Sequence, residues 1–128
     1  MIRYEIADDI KERVRDIVTY LGLGHVRLDR ISCIRSHGST SRYTLARCHA
    51  LSRIFQKALG IRTHYIIEVV SERFDKMSFE EQTKVLIHEI LHIPKSFGGG
   101  FKHHDYVNKR TVERFYEKYK LTKQNIKS

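Results

Sequence analysis

Apolar residues recur at helical spacing in three parts of the chain, and each part predicts an amphipathic helix. The first set, which Gly22 follows as a stop signal, is Ile10, Val14, Ile17, Val18 and Leu21. A second helix is predicted after Ser78, because Ser78 and Glu81 have the spacing of a capping box, and it should end before Pro94. The third set, in a last helix, is Val112, Phe115, Tyr116 and Tyr119. We expect residues 121–128 to form a flexible basic tail.

Three further segments have the apolar character of β-strands: 26–34, 43–48 and Tyr65–Val70. Only Glu68 interrupts the apolar run of the third segment. The polar loop 36–41 separates the first two segments, which predicts that they pair as a β-hairpin. A short helix is predicted over 51–59, with Gly60 at its end. Residues 1–128 therefore read as one α+β domain with an N-terminal helix, a three-stranded mixed sheet, a central helix and a C-terminal helix.

Basic residues are concentrated in two segments of the chain, which carries a formal net charge of +9. From Arg30 to Ile67 there are seven bases and no acid, and residues 90–128 hold nine bases against three acids. Segments of this kind attract polyanions by releasing counterions, which predicts non-specific association with nucleic acid. No motif for sequence-specific recognition of DNA or RNA accompanies them.

The sequence also indicates the cellular compartment and the redox state of the two cysteines. No apolar run approaches the roughly 20 residues that a membrane-spanning helix needs, so we expect no membrane partner. The first residues lack the apolar stretch of a secretory signal, which predicts a cytoplasmic protein. Cys33 and Cys48 are then expected to be two reduced thiols, with a cross-strand disulfide as the alternative.

The helix predicted after Ser78 contains the pattern His-Glu-x-x-His at residues 88–92. Residues four apart project from the same face of a helix, so His88 and His92 can reach one metal ion. Glu89 lies about 100° further round, where it can contact a water on the metal rather than the metal itself. This arrangement is typical of zinc peptidases, and it identifies His88 and His92 as metal ligands and Glu89 as the catalytic residue.

Zinc in a catalytic site takes a third protein ligand and leaves one position for water. The loop after Pro94, with glycines at 98–100, leads to His103 and His104, and we favour His104 over its neighbour as that ligand. Glu113 or Glu117 of the last helix is the remaining alternative. Asp105 is expected either to orient a ligand or to begin the last helix.

Residues 86–94, the glycine loop and His103-His104-Asp105 resemble a group of small archaeal predicted zinc metallopeptidases, over roughly residues 30–119. Through the His-Glu-x-x-His helix these are similar to the SprT-like zincins, whose eukaryotic member Spartan cuts proteins crosslinked to DNA. The resemblance implies a small zincin-like domain in which His88, His92 and His104 bind Zn²⁺ and Glu89 is the catalytic acid and base. SprT-like proteins often carry a Gly-His-Gly-Pro segment and a cysteine-rich zinc ribbon, and this chain has neither.

Three functions are compatible with these features. The first is a zinc-dependent metalloendopeptidase that acts on protein or peptide substrates, including DNA-associated proteins, with Glu89 as general base. His103 or Tyr106 would then help to stabilise the oxyanion. The second is a metal-dependent nucleic-acid enzyme. The third is a non-catalytic DNA-binding module that zinc stabilises, with His103 as a fourth ligand.

Overall fold

The computed structural model describes residues 1–127, and its secondary structure is α+β as predicted. The strands are β1 (Arg3–Ile6), β2 (Ile31–His37), β3 (Ala46–Ala50) and β4 (Tyr65–Val70). The helices are α1 (Asp8–Leu21), α2 (Arg53–Leu59), α3 (Ser71–Phe74), α4 (Phe79–Leu91) and α5 (Lys109–Lys127). A single 3₁₀ turn over Leu28–Arg30 leads into β2.

The four strands of the described chain form one mixed sheet in the order β1-β2-β4-β3, so the prediction of three strands is wrong. The strand β1, which the sequence analysis missed, precedes the N-terminal helix and pairs antiparallel with β2. All four of its residues are exposed, so the alternation of Tyr4 and Ile6 with charged residues forms no buried face, and the run is too short to identify as a strand.

The predicted hairpin is also wrong, because β4 lies between its two strands. β2 pairs with β4 in parallel, and β3 pairs with the other edge of β4 in an antiparallel register. Five of the six residues of β4 are buried, which explains its place in the interior of the sheet. β1 and β3 are left as the two edge strands.

Helices α1, α4 and α5 pack against one another on one face of the sheet. The predicted apolar face of α1 is buried in full, and Gly22 ends the helix in the left-handed conformation with φ 64°. Val112, Tyr116 and Tyr119 of α5 are buried too. α5 continues to Lys127, through most of the segment predicted to be a tail, and Ser128 lies outside the described residues.

Ser78 caps α4 as the capping-box spacing predicts. Its hydroxyl oxygen accepts a hydrogen bond from the Glu81 backbone N–H at 3.1 Å. The helix buries an apolar set that contacts the sheet and the other helices: Leu86, Ile87, Ile90 and Leu91. This burial fixes the rotation of α4 and so decides which way its polar residues point.

Candidate metal centre

Helix α4 presents His88 and His92 side by side at the rim of a cleft. Their ring centroids are 5.0 Å apart, and their Nε2 atoms are separated by 3.3 Å. His92 is the first residue after the helix, but its backbone is still helical, with φ −68° and ψ −18°. The four-residue spacing therefore holds to the end of the motif.

Two hydrogen bonds hold the loop that follows α4 against His92. The Lys102 backbone N–H donates to the His92 carbonyl oxygen at 2.8 Å, and His92 Nδ1–H donates to the Lys102 carbonyl oxygen at 2.6 Å. This pair fixes the position of residue 102 and also leaves His92 Nε2 with its lone pair free.

His104, two residues beyond this contact, completes a group of three imidazoles. Its ring centroid lies 4.8 Å from that of His92 and 5.5 Å from that of His88. One nitrogen from each ring lies within 4.8 Å of the others, a spacing at which the three could hold a metal ion. Among residues 1–127 this is the one such group of histidine, cysteine and carboxylate side chains.

Tyr65 anchors the glycine loop that carries the chain from α4 to His104. Its hydroxyl accepts a hydrogen bond from the Gly99 N–H at 3.0 Å and donates one to the Gly100 carbonyl oxygen at 2.8 Å. Gly99 has φ +105°, and a Cβ there would lie 2.9 Å from Gln56 Nε2, so the position requires glycine. From the sequence Tyr65 was expected only as a strand residue, although a hydroxyl at the start of an apolar strand is a signal for a contact of this kind.

His88 and His92, the two imidazoles on α4, have lowered pKa values. Burial, together with the nearby rings of His92 and His104, lowers the pKa of His88 to about 4. Burial also lowers the pKa of His92, although the hydrogen bond to the Lys102 carbonyl opposes that shift. Neutral imidazole is the form that coordinates metal ions.

Glu89 is a buried carboxyl group beside these rings, with 8% of its surface exposed. Its Oε2 atom lies 4.0 Å from His88 Nε2. Burial raises the pKa of Glu89 to about 7, because the charged carboxylate loses its hydration. The group therefore exchanges a proton in the neutral range, as a general acid and base must.

Two cavities meet at Ala46, His88 and Glu89. The smaller, of about 400 Å³, is lined by all three histidines of the group and by Cys48, Phe101 and His103. The larger, of about 660 Å³, extends between α4, α5 and residues 43–46. The edge strand β3 therefore forms one wall of the cleft, and α4 forms the other.

The loop residues around His104 have other contacts. His103 is exposed at the smaller cavity and is outside the group of three. Tyr106 lines a different cavity, with His25 and Lys95. Asp105 accepts a hydrogen bond from the Tyr106 backbone N–H at 3.0 Å, and its carboxylate forms no hydrogen bond to a histidine within the described chain.

The predicted alternatives on α5 lie in surface ion pairs. Glu113 pairs with Lys84 at 2.8 Å, and Glu117 pairs with Lys120 at 3.2 Å. The helix itself begins at Lys109, where Asn108 Oδ1 accepts a hydrogen bond from the Thr111 N–H, so Asp105 does not begin it.

Both cysteines are free, as predicted, and the alternative of a disulfide is wrong. Cys33 and Cys48 stand opposite Ile67 from its two neighbouring strands, which separates them by two strand spacings, or about 10 Å. A disulfide requires Cα atoms within about 7 Å. Burial raises the pKa of Cys33 to about 11 and that of Cys48 to about 12, so both remain thiols at neutral pH.

Two of the seven bases between residues 30 and 67 are engaged in ion pairs within the fold. Arg35 contacts Asp9 and Asp75 on the surface, at 3.0 and 3.2 Å. Arg47 contacts Glu68 at 3.0 Å. Nucleic-acid binding through the other bases stays a prediction.

A family model described as "Putative phage metallopeptidase" matches residues 2–127. No curated protein and no solved structure matches the chain. A metallopeptidase family implies a metal cofactor, and the group of three histidines could hold such an ion. None of the helices within residues 1–127 has the length and apolar character needed to cross a membrane.

Proposed function

The chain belongs to this family of phage metallopeptidases, and from that membership we propose that it is a zinc-dependent metalloendopeptidase. His88, His92 and His104 would hold the metal, and Glu89 would be the general base. The observation that carries the proposal is the convergence of three imidazoles within 4.8 Å, beside a buried carboxyl group.

The donor set fits zinc. Three imidazole nitrogens suit Zn²⁺ and leave one tetrahedral position for water, as in catalytic sites. The Lys102 carbonyl would act as the outer partner that fixes the orientation and tautomer of His92. His103 lies outside the group, which favours an open catalytic site over a closed structural one.

Bound zinc would act as a Lewis acid that acidifies water and polarises the substrate carbonyl. Glu89 would take a proton from the attacking water as the water oxygen forms a bond to the substrate's carbonyl carbon. The same carboxyl group would then deliver that proton to the amine nitrogen as the C–N bond breaks. Burial suits Glu89 to both steps because it brings its pKa to about 7. His103, at the cavity, would donate a hydrogen bond to the oxyanion.

We propose that the substrate adds to the free edge of β3 as an extended strand. Within residues 1–127 β3 pairs only with β4, and Ala46 lines both cavities next to His88 and Glu89. Main-chain hydrogen bonds along an edge bring a peptide to the site with little demand on its sequence. A sheet edge beside a His-Glu-x-x-His helix would also be the basis of a zincin-like, SprT-like relationship.

Substitution of Glu89 by glutamine tests the proposal. The amide cannot take a proton from water, so hydrolysis of casein should fall about 10²- to 10⁴-fold while bound zinc stays near one ion per chain. Zinc is measured by elemental analysis, and hydrolysis by the release of new amino termini, with and without a chelator.

Glu117→Gln is the matched control, since Glu117 is an exposed glutamate in an ion pair with Lys120. It should leave both readings unchanged. Full proteolysis by the Glu89→Gln protein would contradict the role of Glu89. Chelator-sensitive cleavage of labelled RNA without cleavage of casein would instead indicate a nucleic-acid enzyme.

A further inference from the structure

Helix α2 exposes its apolar side chains to solvent. Ile54, Phe55 and Leu59 are 76%, 57% and 60% exposed, and no residue of the helix is buried. At about 100° per residue these side chains, with Ala58, fall within an arc of about 140°. Ile61, just after the helix, is 50% exposed as well. Scattered apolar residues are normal on a surface, but a contiguous set is typical of a binding face.

The polar side of α2 faces the body of the protein. Gln56 Nε2 donates a hydrogen bond to the Leu51 carbonyl oxygen at 2.8 Å, and Gln56 Oε1 accepts one from the Thr63 hydroxyl at 3.0 Å. The glycine loop approaches the same side chain, since a Cβ on Gly99 would lie 2.9 Å from Gln56 Nε2. The helix is thus attached through its polar residue, and its apolar arc points outward.

Basic side chains border this apolar arc. Lys57 lies beside it, about 60° from Ile54 round the helix, Arg62 follows Ile61, and Arg53 lies on the opposite side of the helix. All three are exposed and form no hydrogen bond or ion pair within the part of the chain that the structure describes. Since no acid occurs between Arg30 and Ile67, the charge of the face is not neutralised from within its own segment.

We propose that α2 docks the protein on an anionic lipid bilayer, with its apolar arc in the acyl boundary and its bases among the headgroups. A helix that lies in a membrane interface combines an apolar face with flanking Lys and Arg in this way. The proposal departs from the expectation, drawn from the sequence, of no membrane partner. It is independent of the proposed peptidase function.

The same features argue against other occupants. A second copy of the chain would bring like charges together across the face. Nucleic acid would pair with the bases but would leave the aliphatic side chains Ile54 and Leu59 without a role. An acidic protein would need a groove complementary in shape to this short, convex helix. The fluid apolar phase of a bilayer can accept the helix without such a groove.

The lack of tryptophan in the chain makes a direct test available. Phe55→Trp places a single fluorophore on the apolar arc, and Leu121→Trp places one at a matched exposure, 58% against 57%, on α5. Each full-length variant is titrated with vesicles of phosphatidylcholine alone, or of equal parts phosphatidylcholine and phosphatidylglycerol. Brominated acyl chains then report contact with the apolar phase.

With anionic vesicles, the emission of the Phe55→Trp protein should shift to the blue and be quenched by brominated lipid. Leu121→Trp should show neither change. In the Phe55→Trp background, Lys57→Gln with Arg62→Gln should weaken vesicle binding about thirtyfold, from the usual contribution of two bases near a charged membrane. Lys76→Gln with Arg110→Gln removes two exposed bases elsewhere and should have a much smaller effect.

Four results would overturn the proposal. These are an unshifted Phe55→Trp emission, equal binding to neutral vesicles, an equal response of Leu121→Trp, and a blue shift that appears without vesicles as protein concentration rises. A blue shift produced by duplex DNA or by an acidic protein, but not by anionic vesicles, would likewise assign the face to another partner. Circular dichroism of each variant checks that the fold is retained.

Discussion

At the scale of single residues, two adjacent histidines differ in what the backbone allows them to reach. His92 holds residue 102 through two hydrogen bonds, and from there the chain brings the ring of His104 to within 4.8 Å of that of His92, between centroids. His103 remains exposed outside the group. The sequence favoured His104 but left His103 as an alternative, and the path of the loop brings the ring of His104 into the group.

We expect His104→Ala to weaken zinc binding by more than the 10- to 100-fold that is typical of losing an outer partner. The physical reason is that one of three nitrogen donors is removed. Isothermal titration with zinc, in competition with a chelator of known affinity, measures the change.

His103→Ala is the control for this prediction, because it removes the neighbouring imidazole of the same loop. Its zinc affinity should stay within a few-fold of that of the parent chain. An equal loss of zinc affinity in the two variants would contradict a specific role for His104 as the third ligand.

At the scale of single elements, helix α4 begins at a capping box that can be recognised directly in the sequence. The hydroxyl of Ser78 accepts from the Glu81 N–H, as the capping-box spacing predicts. Ser52 occupies the equivalent place before α2, but its side chain forms no capping bond there. The two serines therefore form a natural pair for measuring what a cap contributes to stability.

Ser78→Ala should lower the free energy of unfolding by about 1 kcal/mol, because an N–H of the first turn loses its partner. Ser52→Ala should change it by much less. Urea unfolding followed by circular dichroism gives both values, and similar losses for the two serines would contradict a specific role for the Ser78 hydroxyl.

At the scale of the whole molecule, the sheet joins segments that are distant in the chain, and one buried carboxylate contributes to that joining. Glu68 of β4 is 4% exposed and contacts Arg47 and His49 of β3 at 3.0 and 2.8 Å. Burial alone would raise its pKa. Hydrogen bonds from Ser36 and His49, together with the charge of Arg47, outweigh burial and lower the pKa below its usual value.

The direction of this shift fixes the pH range in which Glu68 stabilises the fold. A carboxyl group with a depressed folded pKa contributes fully above its unfolded pKa, near 4.5, and loses the contribution as pH falls through the folded value. Glu68→Gln should therefore cost about 2 kcal/mol at pH 7, and the difference should shrink in acid.

Urea unfolding of both proteins between neutral and acidic pH measures this dependence. Glu5→Gln serves as a comparison, because Glu5 lies exposed on the edge strand β1 and pairs with His37 there. A difference between the parent chain and Glu68→Gln that stayed constant across the acid range would contradict the role of the charge.

The local features of this protein can be derived from its sequence alone. The apolar face of α1, the cap of α4 and the strand Tyr65–Val70 all follow from interactions within a few residues, and the structure agrees with each. The side-by-side placement of His88 and His92 is of the same kind, because helical geometry fixes the distance between residues four apart.

How these local elements are joined depends on long-range packing. Strand pairing depends on competition for the buried centre of the sheet, which placed β4 between the two strands of the predicted hairpin and left β3 as an edge beside the cleft. The placement of His104 depends on contacts with distant residues, such as the two hydrogen bonds by which Tyr65 holds the glycine loop. No short-range pattern encodes such contacts, because their free energy arises only when separate segments of the chain meet.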